Sequence, residues 1–241
     1  MKAVILAAGI GSRLAPLTND RPKVLVEVQG RSFLMRQLER LAQTGISGAD
    51  VVVVGGYRID RLREALAGTG ATIVMNEQYE PWNNFYSLKV AEPVVSGHDF
   101  LQLDGDTILD EKLLPRLVAA QGDIVLAVDC RPDLDEEMMK AVVEPGTNRV
   151  TELSKKLDPA RCAGESVGIS KVSAKVSALV FEDLARFPDE KLTHEYYEYA
   201  YNRLAAAGKL SLSMVDVHDC KVIEIDNVED LRRAEELLGR A

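Results

Sequence analysis

Residues able to bind phosphate are concentrated near the start of the chain, between Leu6 and Lys23. Gly9 and Gly11 follow a short apolar run, so this backbone is small and flexible enough to wrap a polyphosphate and offer it N–H groups. Arg13 and Lys23 add a planar guanidinium and a mobile ammonium. The stretch therefore predicts a cradle for a nucleoside triphosphate. Its expected nucleotide-binding residues are Leu6, Ala7, Ala8, Gly9, Gly11 and Ser12.

Two better-known phosphate-binding patterns do not fit this spacing. The dinucleotide fingerprint needs a third glycine where this chain has Leu14, and no Gly-Lys-Ser/Thr sequence of the Walker type is nearby. A Gly-x-Gly pair on its own is weak evidence, because any tight turn from a strand to a helix can use it. A turn without a ligand therefore stays open as the alternative.

A second group of candidate residues consists of acids at the ends of apolar runs. Asp104 and Asp106 flank Gly105 after residues 100–103, and Asp226 follows residues 221–225. Acids that are buried together need a positive neighbour, and carboxylate oxygens are ligands that suit Mg²⁺. We expect Asp106 and Asp226 to hold the metal, with Asp104 beside the nucleotide. The alternative for the Asp-Gly-Asp sequence is an exposed turn.

Amides, hydroxyls and aromatic rings crowd residues 76–88, directly after a predicted strand. Ligands of open α/β sheets bind at the carboxyl ends of the strands, so this segment is expected to form the base pocket. Asn84 and Ser87 could read the amide-like edge of a pyrimidine. The alternative is a turn that leads into a helix, with the aromatic rings in the core.

A later segment, residues 195–206, combines tyrosines with glutamates on one predicted helix. Aromatic faces beside carboxylates could hold a cationic head group. Because residues three and four apart share a helix face, only some of these side chains can line one pocket. We expect Tyr197 and Glu198 to bind the acceptor, and Tyr196 next; packing in an amphipathic core is the alternative.

The composition excludes several classes of protein. The 241 residues carry a net charge of −9, which argues against nucleic acid or an anionic membrane as the main partner. No apolar run approaches the length of a membrane span, and the N-terminus enters a strand directly, so we expect a cytoplasmic protein. Three scattered cysteines make a disulfide framework or a structural zinc site improbable.

Buried strands alternate with helices over most of the chain. This rhythm predicts an α/β fold with a doubly wound, mostly parallel, Rossmann-like sheet. We expect one domain over residues 1–241, in which 1–128 and 211–241 form the nucleotide-binding sheet and 129–210 a small inserted acceptor-binding β lobe. The predicted strands are 2–6, 24–28, 51–54, 72–75, 100–103, 124–128, 139–144, 150–153, 164–170 and 221–225. The predicted helices are 32–43, 60–66, 84–91, 173–186, 195–206 and 228–238.

The sequence from Gly9 to Lys23 resembles the signature of the sugar-phosphate nucleotidyltransferase superfamily at its diagnostic positions. Over nearly its full length the chain is similar to small cytidylyltransferases that act on phosphocholine or 2-aminoethylphosphonate. Some phosphocholine enzymes have a tryptophan near the position of Met138, whereas this chain has no tryptophan there. The segments that carry the likeness are 6–23, 83–88, 135–140, 153–155, 164–171, 196–197 and 224–226.

The resemblance implies transfer of CMP from CTP to a small phosphorylated or phosphonate amino-alcohol, with release of pyrophosphate. It implies catalytic roles for Arg13 and Lys23 on the triphosphate, with Mg²⁺ as cofactor. Lys155 matches a lysine that approaches the acceptor phosphate in relatives, and the matched segments add Lys140 and Glu165 as acceptor-binding candidates.

Other functions stay open. A sugar-1-phosphate or inositol-phosphate nucleotidyltransferase shares the chemistry, and a silent nucleotide-binding regulatory subunit shares the fold. Such subunits typically lose the loop arginine, the lysine or the metal-binding acids, all of which this chain retains. The sequence is compatible with a monomer or a homodimer.

Overall fold

A computed structural model describes residues 1–131 and 133–239. The strands are β1 (Lys2–Ala7), β2 (Glu27–Val28), β3 (Arg31–Ser32), β4 (Val51–Gly55), β5 (Thr72–Met75), β6 (Phe100–Asp104), β7 (Thr107–Ile108), β8 (Ile124–Asp129), β9 (Lys140–Val143), β10 (Arg149–Ser154), β11 (Gly164–Val172), β12 (Leu212–Asp216) and β13 (Ile223–Glu224). The helices are α1 (Phe33–Gln43), α2 (Ile59–Ala65), α3 (Phe85–Val90), α4 (Glu92–Val95), α5 (Leu113–Ala119), α6 (Ala174–Ala185), α7 (Tyr197–Ala206) and α8 (Val228–Gly239).

Within these residues a nine-stranded sheet has the order β5-β4-β1-β6-β11-β8-β12-β10-β9. Strands β5, β4, β1 and β6 are parallel, whereas β11 and β10 run against their neighbours. Strand β9 pairs with β10 and also with the start of β11. In the register of β1 with β6, Leu6 lies opposite Asp104. The glycine-rich loop after β1 and the acids after β6 therefore leave the sheet side by side.

The core lies on both faces of the sheet. One cluster of buried side chains joins the sheet to α3, α6 and α7, and another joins it to α1, α2 and α5. Successive residues of β1 belong to different clusters, Val4 to one and Ile5 to the other, which explains why this strand is a continuous apolar run in the sequence. The helices on both faces confirm the predicted Rossmann-like α/β fold. The prediction of a mostly parallel sheet is wrong, because four of the eight neighbouring strand pairs are antiparallel.

Elements with strong local signals agree with the sequence analysis. Helix α1 begins after Ser32, whose side chain accepts a hydrogen bond from the Met35 N–H at 3.3 Å. The hairpin of β9 and β10 turns at residues 145–148, and both strands belong to the main sheet. The acceptor-binding role of residues 129–210 stays a prediction.

Two predicted strands are wrong. Residues 24–28 do not form one strand, because the Leu25 N–H bonds to the Pro22 carbonyl and the Val26 N–H to the Lys23 carbonyl, which makes a 3-10 turn. Of residues 221–225 only β13 is a strand, and it pairs with β7 in a separate two-stranded sheet. The main sheet instead contains β12, which was not predicted although its apolar residues alternate with serine.

None of the helices in the described ranges is long and apolar enough to cross a membrane. All three cysteines, Cys130, Cys162 and Cys220, are free.

Candidate active site

Three carboxylates from distant parts of the chain meet at the carboxyl end of β6. Asp106 lies in the turn between β6 and β7, while Glu224 and Asp226 come from β13 and the residues after it. The antiparallel pairing of β13 with β7 and a hydrogen bond from the Ile225 N–H to the Asp106 carbonyl, at 3.0 Å, join the two segments. One oxygen of each carboxylate lies within 4.8 Å of the others, and the residues described contain no other such group of three.

Lys23 bridges two of these acids. Its Nζ lies 2.8 Å from Asp106 Oδ2 and 2.6 Å from Asp226 Oδ1, and its side chain is only 12% exposed. Arg13 Nη2 lies 2.8 Å from Asp226 Oδ2, on a side chain that is 66% exposed. Burial alone would lower the pKa of Lys23, but the two carboxylates outweigh burial and raise it. Burial alone would raise the pKa of Asp226, but Lys23 and Arg13 outweigh burial and lower it.

The glycine-rich loop packs along the stem of Lys23. Gly11 has a φ of +70°, and a Cβ atom at this position would lie 2.7 Å from the Lys23 Cβ, so both the conformation and the space require glycine. The buried Thr18 hydroxyl donates to the Gly11 carbonyl at 2.9 Å and fixes the loop. In contrast, no described atom lies within 4 Å of where a Cβ of Gly9 would be. The loop is open on the side where a phosphate could approach.

The other predicted loop residues lie around this opening. The Leu6 carbonyl accepts from the Gly105 N–H at 3.0 Å, and the Ala8 carbonyl accepts from the Tyr57 N–H at 3.1 Å. Ala7 ends β1, and Ser12 begins a 3-10 turn. These contacts bring the predicted cradle and the predicted metal-binding acids together.

The three carboxylates fit a divalent cation by the chemistry of their donors. All are hard oxygen ligands, the kind that Mg²⁺, Mn²⁺ and Ca²⁺ prefer. Desolvation of its carboxyl group and the charges of Asp106 and Asp226 raise the pKa of Glu224 to about 8. Glu224 was missed in the sequence analysis. Its signal is the spacing to Asp226, since residues two apart on an extended chain point to the same side.

A second acidic group lies beside the first. Glu198, on α7, is 4% exposed, and its Oε2 has no hydrogen-bond partner in the part of the chain that the structure describes. Burial raises the pKa of Glu198 to about 7. Burial and the charge of Glu198 raise the pKa of Asp104 well above the usual range of an aspartate. Burial and nearby aspartates raise the pKa of Glu165 to about 7.

Lys155 lies near two of these acids, Glu165 and Glu198. Its Nζ lies 4.8 Å from the centre of the Tyr196 ring, and its charge partly offsets the raised pKa values of Glu165 and Glu198. Tyr196 is half-buried, whereas Tyr197 is 1% exposed and its ring packs 5.4 Å from that of Tyr201. Of the two tyrosines predicted to bind the acceptor, only Tyr196 is therefore accessible.

Three other predicted site residues have partners inside the protein. Asn84 Oδ1 accepts from the Tyr197 N–H at 3.2 Å, and Ser87 Oγ accepts from Asn76 at 2.9 Å. The buried Lys140 ammonium donates to the Asp135 carbonyl at 2.7 Å and to a second carbonyl. Their contacts with a nucleotide or an acceptor stay predictions.

At the carboxyl ends of β1 and β6, this Rossmann-like sheet brings together a glycine-rich loop, two cations and three carboxylates, as expected for a nucleotidyltransferase. Residues 3–155 match the MobA-like NTP transferase domain, and the chain belongs to this family. The assignment confirms the superfamily resemblance. Nucleotidyltransferases of this family generally use divalent metal ions.

Relatives and a solved structure extend the likeness along the chain. The choline-phosphate cytidylyltransferase of Streptococcus pneumoniae is 26% identical over 99% of this chain and 98% of its own length. The CMP-5'-(3-aminopropyl)phosphonate synthase of Streptomyces rubellomurinus is 31% identical over 98% of this chain, which spans 38% of that protein. The structure of the inositol-1-phosphate CTP transferase from T. maritima superposes with a TM-score of 0.78, at 26% identity, over 99% of this chain and 94% of that one.

Proposed function

We propose that this chain is a cytidylyltransferase that transfers CMP from CTP to the phosphate or phosphonate of a small amino-alcohol and releases pyrophosphate. The observation that carries the proposal is the contact of Lys23 with Asp106 and Asp226 beside the open face of the glycine-rich loop. Full-length similarity to the choline-phosphate cytidylyltransferase supports CTP as the nucleotide.

Both substrates are anions, so the main task of the protein is to cancel their repulsion and align them. In the proposed reaction an oxygen of the acceptor attacks the α-phosphorus of CTP in line. A new P–O bond forms, and the bond to the β-phosphate breaks as pyrophosphate leaves. Because the attacking oxygen is already ionised near neutral pH, no side chain has to remove a proton. Arg13 and Lys23 bind the triphosphate, and Lys155 binds the acceptor phosphate.

Asp106 and Asp226 would hold Mg²⁺, with Glu224 as a third oxygen donor nearby. When bound, Mg²⁺ withdraws charge from the phosphoryl oxygens and helps to align the reacting groups. The chain supplies the rest: backbone N–H groups of the loop after β1 bind phosphate oxygens, and the carboxylates orient the cation.

The surroundings of Lys155 support a cationic acceptor. Lys155 lies close enough to Glu165 and Glu198 for its charge to act on both carboxyl groups, and its Nζ lies 4.8 Å from the centre of the Tyr196 ring. Two acids beside one ammonium leave room for a second positive charge, and a tyrosine face can carry part of that interaction. Asn84 and Ser87 remain proposed contacts of the base, and Lys140 and Tyr197 of the acceptor.

Pyrophosphate release tests the proposal. The purified protein is incubated with Mg²⁺, each of the four nucleoside triphosphates, and phosphocholine, phosphoethanolamine, 2-aminoethylphosphonate or inositol 1-phosphate. We expect turnover with CTP and one of the three amino-alcohol acceptors. Turnover with inositol phosphate alone would replace the proposed acceptor class. Turnover with another triphosphate but not with CTP would contradict the cytidylyl assignment, and CTP binding without turnover would indicate a silent nucleotide-binding subunit.

A further inference from the structure

The ammonium of Lys23 contacts the same two carboxylates that the proposed function assigns as metal ligands. The two oxygens that it contacts, at 2.8 and 2.6 Å, come from the turn after β6 and from the residue after Ile225. We propose that Lys23 competes with the divalent cation for Asp106 and Asp226, so that cation binding transfers its ammonium to the triphosphate. The inference rests on the proposed function, whose metal site it uses.

Charge explains the competition. Lys23 and Arg13 together offset the charges of Asp106 and Asp226, so these four groups are neutral without a metal. A divalent cation on the same oxygens would add two positive charges within a few ångströms of the ammonium. Because the Lys23 side chain is largely shielded from water, solvent screens this repulsion only in part. The ammonium is therefore expected to move away when the cation binds.

The packing of Lys23 gives its ammonium a short path to the loop. A Cβ atom at Gly11 would lie within 2.7 to 3.2 Å of the Cβ, Cγ and Cδ atoms of Lys23, so the stem of the lysine lies against the glycine-rich backbone. With the stem held there, rotation about the last side-chain bonds can move Nζ away from the acids while the lysine stays beside the glycine-rich loop. Lys23 then serves two functions in sequence: it holds the two acids together, and it binds the phosphate chain.

Binding of Mn²⁺ without nucleotide or acceptor tests the competition. Isothermal titration calorimetry compares the natural protein with Lys23→Met, which keeps an apolar stem of similar length. We expect Lys23→Met to bind Mn²⁺ about tenfold or more tightly, since the competing charge is gone. Asp106→Asn should weaken binding in both backgrounds, which locates the ion. Lys175→Met is the matched control: it removes a lysine that pairs with Asp123, and its Mn²⁺ affinity should not change.

Equal or weaker Mn²⁺ binding by Lys23→Met would overturn the inference. A second measurement uses the natural protein and does not depend on the folding of a variant. Reductive methylation with formaldehyde, followed by peptide mass spectrometry, reports how accessible each lysine is. We expect Mg²⁺ to speed methylation of Lys23 but not of Lys175; an unchanged or slower rate at Lys23 would contradict the transfer. Neither experiment involves CTP, so their failure is distinct from failure to release pyrophosphate.

Discussion

At the residue scale, Asp106 and Asp226 differ from ordinary surface acids because each has a cation at hydrogen-bond distance and a second acid nearby. We expect Asp106→Asn and Asp226→Asn each to lower kcat on the order of a thousandfold. Losing one charge from a metal-binding pair removes several kcal/mol of transition-state stabilisation. Pyrophosphate release measures the rate, and thermal unfolding checks that the fold is retained.

Asp50→Asn is the control for these substitutions, because Asp50 is exposed and lies 3.8 Å from Lys2 far from the loop. Its turnover should match that of the natural protein. Near-normal turnover by Asp106→Asn or Asp226→Asn would mean that the acid in question is not a metal ligand.

Glu198 gives a prediction for the pH dependence of stability. Its pKa of about 7 in the folded chain lies above the ordinary glutamate value of 4.5, so between these pH values the folded chain holds a proton that the unfolded chain has lost. The stability that Glu198 contributes is therefore fully present below pH 4.5 and is lost as the pH rises through 7. Glu198→Gln removes the titration. From pH 5 to pH 8 the natural protein is expected to lose on the order of 3 kcal/mol of unfolding free energy through this titration. The variant should not have this loss.

Urea unfolding at the two pH values measures this difference. Glu64→Gln, at a glutamate whose side chain is 66% exposed, keeps Glu198 and should therefore lose as much stability between the two pH values as the natural protein does. If Glu198→Gln and the natural protein lose stability in parallel, Glu198 is not held protonated by its surroundings.

At the scale of single elements, the cap of α1 tests a purely local prediction. The Ser32 side chain satisfies one of the free N–H groups at the start of the helix. Ser32→Ala should lower the free energy of unfolding by about 1 kcal/mol. Ser47 begins a 3-10 turn without a side-chain cap, so Ser47→Ala should be close to neutral in the same urea titration. Equal losses from both substitutions would mean that the Ser32 hydrogen bond adds nothing.

The predictability of an element depended on where its partners lie. Helix α1 and strand β4 were predicted because their caps and apolar patterns are local. Strand β13 is two residues long and exists only through its pairing with β7, more than a hundred residues earlier. The same pairing brings Glu224 to Asp106, so the third carboxylate could be suspected from its spacing to Asp226 but not located.

The burial of individual side chains was also beyond the sequence. Four tyrosines within six residues predict an aromatic helix, but only the packing of α7 against the sheet decides which of them are accessible. That packing buries Tyr197 and Tyr201 and leaves Tyr196 half-buried beside Lys155. The sequence pattern therefore predicts that aromatic rings and carboxylates meet in this region, and tertiary contacts determine which of these side chains a ligand could reach.

At the scale of the whole molecule, three hydrogen bonds join the predicted base segment to α7 and the residues just before it. The Asn83 N–H and side-chain amide donate to the carbonyls of Thr193 and His194, both at 2.9 Å. Asn84 Oδ1 accepts from the Tyr197 N–H at the first turn of α7. Asn84 is therefore expected to position α7, which carries Glu198, in addition to any contact with the base.

Asn84→Ala removes this hydrogen bond. We expect it to lower the unfolding free energy by about 1 kcal/mol and to raise KM for the acceptor about fivefold, since a neutral hydrogen bond contributes roughly that amount. Asn84→Asp keeps an oxygen for the Tyr197 N–H and should retain the stability of the natural protein. Initial rates of pyrophosphate release with either substrate varied give the two KM values, and urea titration gives the stability. A rise in KM for CTP alone, with unchanged stability, would assign Asn84 to the base and leave α7 to be positioned by Asn83.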